Sequence, residues 1–113
     1  MEPNPTSREE YVRKVLSAYG QTPGTTGTIR RGDRLLAVQL HQRQVPLRVV
    51  ENALILAAAR RLLRPADALP LGTIRSLAYF FPVIDEVLEL KVGQDYFRYL
   101  RGKIAQLPPN PLK

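Results

Sequence analysis

The sequence predicts an all-α fold: a single compact domain of about five helices around one central buried helix. Three observations lead there. Apolar residues recur at three- and four-residue spacing in several stretches separated by glycine- and proline-rich punctuation. The stretch Leu47–Arg64 has a proline just before it (Pro46) and another just after (Pro65), one suited to open a helix and one to stop it. The chain has 113 residues, 44% of them hydrophobic, which suffices for one modest core and not for two.

Residues 1–6 read as a disordered, proline-containing lead. Thr6 with Glu9, or Ser7 with Glu10, forms a capping box that opens the first helix. Tyr11, Val12, Val15, Leu16 and Tyr19 fall on its buried stripe, and Gly20 suits the position just past its end. Arg8, Arg13 and Lys14 lie elsewhere on that helix, as a solvated face.

Gly20 to Gly32, GQTPGTTGTIRRG, is a loop by composition. It lacks the GxxxxGK[ST] phosphate-loop motif, a preceding strand and any internal lysine, so a nucleotide site of that kind is not expected. Its threonines, with Arg30 and Arg31, suit a backbone phosphate held through hydroxyls, amides and guanidinium forks. The competing expectation is a mobile connector with two solvated arginines.

Asp33 is the expected N-cap of a helix over Arg34–Arg43, buried through Leu35, Leu36, Val38 and Leu40. Gln44 and Val45 turn the chain and Pro46 opens the central helix. That outline is helix-turn-helix-like, with a proline where a glycine turn is usual; a plain helical hairpin fits equally. In the central helix Arg48, Glu51 and Asn52 share a polar arc, opposite Val49, Val50, Ala53, Leu54 and Ala57. Ile55 and Ala59 are apolar even within the polar arc, which predicts a middle covered on most sides. Arg60, Arg61 and Arg64 then fall in the arc of Val50, Ala53 and Ala57. Three guanidinium groups cannot extend a buried face, so the helix is expected to leave its core and present a basic end.

Pro65 to Leu71 is a linker, and Thr73 can cap the next segment. Ile74, Leu77, Ala78, Phe81, Ile84 and Leu88 form the next buried stripe, with a kink or break at Pro82. Phe80 and Phe81 point about 100° apart on a helix, so one of them, Phe80, is expected to reach the surface. Asp85, Glu86 and Glu89 form an acidic cluster, read as a solvated face or a docking point for a basic surface rather than a metal site. Phe80 with these three carboxylates makes the candidate self-association surface. Val92-Gly93 closes that element. The last helix starts at Gln94 or Asp95 and buries Tyr96, Phe97, Leu100, Ile104 and Leu107, with Arg98, Arg101 and Lys103 opposite. The helical domain thus spans 7–107, and 108–113 is a disordered tail.

The formal net charge is +7 and the isoelectric point about 10.3. The charge is uneven: residues 1–65 hold 11 Lys/Arg against 5 Asp/Glu, whereas residues 66–113 hold 6 against 5. Such asymmetry favours a polyanionic partner, most often nucleic acid. The chain has no cysteine, so disulfides and thiolate metal sites are excluded. No apolar run is long enough for a membrane span or a signal peptide, and a cytoplasmic location is expected. The one histidine, His41, cannot make a metal site alone, and no serine has a plausible paired base. Five tyrosines invite a tyrosine-nucleophile reading. That chemistry needs positioned arginines and usually histidines, and Tyr79, Tyr96 and Tyr99 fall at core-like helical positions instead. No enzyme, cofactor or metal is expected.

VPLRVVENALILAAARRL followed by IRSLAYFFPVIDEV is similar to helical modules of bacterial primosomal proteins of the DnaD type and of phage or plasmid replication proteins. The resemblance covers roughly residues 33–90 and rests on a helix after a tight turn followed by a segment with an aromatic pair; the tryptophan often seen late in such modules is absent here. It implies DNA binding and self-association in replication or mobile-element biology. The leading expectation is a small basic accessory protein that binds nucleic acid, DNA before RNA, through arginine–phosphate contacts of Arg30, Arg31, Arg60, Arg61, Arg64, Arg98 and Arg101. The alternative is a helical adaptor, or a homodimer, whose basic end docks an acidic partner or a second copy of the chain.

Overall fold

The computed structural model describes residues 5–65, 67–90 and 94–106. Across them the chain is all-α: α1 (Pro5–Gln21), α2 (Arg31–Gln42), α3 (Leu47–Leu62), a 3₁₀ turn (Leu77–Phe80), α4 (Phe81–Glu89) and α5 (Gln94–Gln106). Residues 1–4 of the expected lead, the Val92-Gly93 closure, Leu107 and the expected tail at 108–113 lie outside the described residues.

α1 begins at Pro5, so Thr6 and Ser7 sit inside its first turn rather than capping it. A proline is well suited to that turn, where its missing N–H would have no helical partner. The helix also runs through Gly20. Its end is satisfied by Thr22, whose N–H donates to the Tyr19 carbonyl (3.0 Å) and whose hydroxyl donates to that of Ala18 (2.7 Å). Val12, Val15, Leu16 and Tyr19 are buried, with Tyr11 packed beside them.

α2 starts three residues earlier than its sequence pattern indicates. Arg30 occupies the N-cap position and Asp33 lies within the first turn, so Asp33 is not the N-cap residue. The shift places Asp33, Ala37 and Leu40, at helical spacing, on the buried side. Leu36 and Val38 are half-buried and Leu35 is exposed, contrary to expectation. At the other end, Gln44 adopts the left-handed conformation (φ 60°). The Val45 N–H donates to Leu40 and the Gln44 N–H to His41, closing α2 with the paired bonds of a Schellman motif. Tyr11 secures this turn from α1 by donating to the Val45 carbonyl at 2.7 Å.

α3 is the centre of the fold, and α1, the 3₁₀ turn, α4 and α5 all pack on it. Surrounded in this way, Asn52 is buried along with Val50, Ala53, Leu54, Leu56 and Ala57 to Ala59. The polar arc therefore narrows to Arg48 and Glu51. Alanine at 53 and 57–59 lets neighbouring helices approach closely with no side-chain entropy lost. The helix ends at Leu62, two residues short of Arg64.

Ile74 is extended rather than helical. It forms an isolated parallel bridge with Thr25, its N–H donating to the Gly24 carbonyl (2.8 Å) and its carbonyl accepting from the Thr26 N–H (3.1 Å). Ser76, not Thr73, caps the 3₁₀ turn, its hydroxyl accepting from the Ala78 N–H at 3.1 Å. The break expected at Pro82 is present: the 3₁₀ turn gives way to α4, and Pro82 sits in the first turn of α4. The break changes which phenylalanine is buried. A 3₁₀ turn has three residues per turn, so Leu77 and Phe80 stack on one face. Both are fully buried, Phe80 edge-on to Tyr19, which overturns the expectation that Phe80 reaches a surface. Ile84 and Val87 continue the buried side, Phe81 is half-buried, and Ala78 and Leu88 are exposed. α5 packs chiefly on α3 and buries only the narrow line of Phe97 and Leu100, with Ile104 half-buried. Tyr96 and Tyr99 fall outside that line and are exposed. Among the described residues no helix is long and apolar enough to cross a membrane.

Candidate nucleic-acid interface

The strip from Gly72 to Phe80 joins three distant parts of the chain. Its Ile74 pairs with the threonine-rich loop at Gly24–Thr26, and its Leu77 N–H donates to the Asp33 carboxylate on α2 (2.9 Å). Its Gly72 carbonyl and Tyr79 hydroxyl accept from the two terminal nitrogens of Arg61, at the end of α3 (2.6 and 3.2 Å). The Arg61 guanidinium also lies over the Tyr79 ring, 5.6 Å from its centroid. Beneath it, Gly24 has φ +96°, and a Cβ there would meet Arg61 Nε at 3.0 Å. Glycine allows both the left-handed turn and the close approach. Arg61 thus ties the end of α3 to the loop that carries Arg30 and Arg31.

Around this strip the negative charge is withdrawn. Asp33 is the one Asp or Glu between residues 11 and 50, and it is 2% exposed. One carboxylate oxygen accepts from the Leu77 N–H, the other from the Arg30 N–H at 2.9 Å. Arg30, Arg31 and Arg34 surround it on the exposed start of α2. The bridge adds a fourth arginine. Thr25 and Ile74 are buried, whereas the next residues along, Thr26 and Arg75, are exposed, as alternation along extended chain requires. Among the described residues none of these four arginines has a carboxylate within 4.0 Å. The Tyr19 phenol, buried at the same junction, is raised above its ordinary pKa by burial first and by the nearby Asp33 charge second, with Arg30 opposing. The loop is bonded to the strip through Gly24 and Thr26, and two of its threonines face inward. The hydroxyls of Thr22 and Thr25 donate to carbonyls of the chain, which leaves Thr26 and Thr28 exposed.

The remaining candidate residues are dispersed. Arg60 turns to α4 and chelates Glu86, one arm of the pair at 2.8 Å. That hydrogen bond is the main reason the Glu86 carboxyl is held below the usual range and the Arg60 guanidinium above it. Arg43 bonds Asp85 at 3.0 Å. Two of the three residues in the acidic cluster therefore have basic partners in this same chain, and Glu89 is exposed. Arg64 is half-buried, and Arg98 lies 3.6 Å from Asp95 in its own helix. Arg101 lines a groove of about 340 Å³ with Thr22, Pro23, Glu51 and Ile104, alongside the start of the loop. His41 is half-buried against the Tyr11 ring. No group of three metal-ligating side chains exists among the described residues. Tyr79, Tyr96 and Tyr99 are exposed and do not occupy core positions.

Sequence pattern does not single out Arg34, Arg75 or Tyr79. Arg34 has the look of an ordinary first-turn residue, and Arg75 joins the face only through a pairing of residues 49 positions apart, Thr25 with Ile74. Tyr79 is misplaced by helical periodicity. Fold and face together describe an all-α domain with an arginine-lined surface at the start of α2, where the Asp33 carboxylate is internal. Compared with protein-family models, curated proteins and solved structures, the chain matches none.

Proposed function

We propose that this protein is a small non-catalytic accessory factor that binds nucleic acid, DNA before RNA, through arginine–phosphate contacts. The observation that carries this reading is the withdrawal of Asp33. A carboxylate whose two oxygens are taken by backbone N–H groups makes no ion pair with its neighbours, so the guanidinium groups of Arg30, Arg31, Arg34 and Arg75 stay open beside exposed Thr26 and Thr28. Guanidinium forks and hydroxyls are the groups that grip phosphate oxygens. The sequence resemblance to replication modules agrees with this chemistry and carries the further proposal of a role in replication or mobile-element biology. The adaptor and homodimer readings draw less support, because Phe80 is buried and Arg43 and Arg60 occupy Asp85 and Glu86.

The test is the salt dependence of binding. Replacing Arg31, Arg34 and Arg75 together by Gln should lower the slope of log affinity against log salt by about two to three units on duplex DNA, at roughly 0.9 per lost phosphate contact. An unchanged slope in a variant that still melts like the parent removes this face from the site. No binding by the parent protein at low salt removes the function.

A further inference from the structure

Beside Arg61 is a pocket of about 340 Å³, and its composition is specific. Ala57 and Val83 form an apolar floor, Leu71 and Tyr79 stand at its sides, and Arg60 and Arg61 add two guanidinium groups. Its size falls at the lower end of the range that holds small ligands. Tyr79 is 46% exposed, its hydroxyl is bonded by Arg61 and one face of its ring lies under the Arg61 guanidinium, so the ring is fixed and a stacking partner has the other face. Tyr96, 45% exposed, lies within electrostatic reach of Arg60. Each guanidinium has five N–H groups, and the internal bonds of Arg60 and Arg61 leave some of them open.

An aromatic face beside fixed cations over an apolar floor matches an unpaired nucleobase with its phosphate. A duplex offers the phosphate alone, because its bases are already stacked on one another. Base–aromatic stacking with a basic track for the backbone is how proteins hold single strands irrespective of sequence. We propose that this pocket takes one unpaired base of a single-stranded nucleic acid, stacked on Tyr79 with its phosphate at Arg61, while Arg30, Arg31, Arg34 and Arg75 track the backbone. This rests on the nucleic-acid reading above and narrows it from nucleic acid in general to single strands.

The experiment compares the full chain with oligo-dT of about twelve nucleotides, a length within single-strand site sizes, and with a duplex of equal length at one salt concentration. With five tyrosines and no tryptophan, the difference in tyrosine quenching between the parent and the Tyr79 variants reports stacking at that ring. The single strand should bind more tightly and quench the tyrosine emission. Tyr79→Ala should weaken single-strand binding roughly 5- to 150-fold, the effect of one lost stack, and weaken duplex binding far less. Tyr79→Phe, which keeps the ring and loses only the Arg61 bond to the hydroxyl, should bind much closer to the parent than Tyr79→Ala does. Tyr79→Leu, which keeps the apolar packing without the aromatic face, should bind like Tyr79→Ala. Equal single-strand binding by the Phe and Leu variants overturns the stacking proposal, as does tighter duplex binding with no quenching; in both cases arginine-mediated nucleic-acid binding stands. If the parent binds neither oligonucleotide, the function itself falls. Binding of an apolar peptide in this pocket in place of the oligonucleotide overturns the proposal as well.

Discussion

Asp33 and Glu86 are both carboxylates that accept two hydrogen bonds, yet they serve opposite ends of the molecule. Asp33 is buried, and its donors are backbone N–H groups of Arg30 and Leu77, the second 44 residues away. Glu86 lies at the surface with its side chain 39% exposed, and its donors are the two arms of Arg60. A buried carboxylate bonded to backbone fixes how segments meet, since nothing replaces it if it is removed. A surface carboxylate bonded to a flexible side chain competes with water and salt, and mostly adjusts the local field. The first holds the arginine face together, and the second restrains one of its cations.

The largest expected effect comes from the first case. Asp33→Ala leaves the buried Leu77 N–H and the part-buried Arg30 N–H without acceptors, and bonds to a charged group contribute about 1.5–3 kcal/mol each. Urea denaturation should show a loss of about 3–5 kcal/mol. Asp33→Asn, which keeps one carbonyl acceptor, should lose about half as much. A loss under about 1 kcal/mol for the alanine variant would mean that water can reach both donors and that Asp33 is not the joint described here.

This contrast also explains what the sequence could and could not disclose. The helical content, the centrality of Leu47–Leu62 and the break at Pro82 were legible, because apolar spacing and proline act locally. Asp33 was legible as a helix-start residue but not as a bridge, since its second partner, Leu77, is reached only after the chain has folded back. The burial of Phe80 instead of Phe81 depended on three residues per turn, where α-helical spacing predicts otherwise. For the candidate site, the break in facial pattern at the end of α3 was visible, but not that half-buried Arg61 turns inward to Gly72 and Tyr79. That Arg60 spends its charge on Glu86 was not visible, because an ion pair between α3 and α4 depends on the angle at which they pack.

An intermediate effect belongs to Tyr11, a half-buried neutral group that donates to the Val45 carbonyl at the α2–α3 turn. Burial pushes its phenol up to about 12. A folded-state value above the unfolded one means the contribution is intact below the ordinary tyrosine range, near 10, and is lost as pH rises from there through about 12. Stability should therefore fall over that alkaline window. Tyr11→Phe should flatten the fall and remove one late-ionising phenol from the phenolate absorbance titration, at a cost near neutral pH of about 0.5–1.5 kcal/mol for the lost bond. An alkaline stability profile identical to that of the parent would mean the phenol is open to solvent in the folded protein.

The smallest effect on stability, and the sharpest test of the contrast, comes from Glu86→Gln. Its carboxyl is depressed in the folded state, chiefly by the hydrogen bond from Arg60, so its contribution is present above the ordinary glutamate range and is lost as pH falls through the lower folded value. At neutral pH the pair stands in water, and the variant should denature almost as the parent does. Its effect should appear in binding instead. Losing the carboxylate releases the Arg60 guanidinium beside the Tyr79 pocket and makes the chain one charge more positive than its formal +7. Affinity for oligo-dT should rise at low salt, and the salt slope should steepen by about 0.7, the value for one added phosphate contact on a single strand. A stability loss rivalling that of Asp33→Ala would show that Glu86 fastens α4 to α3 as Asp33 fastens α2 to the strip. A shallower slope would show that Arg60 needs Glu86 to hold it in position, and that the restraint is itself part of the site.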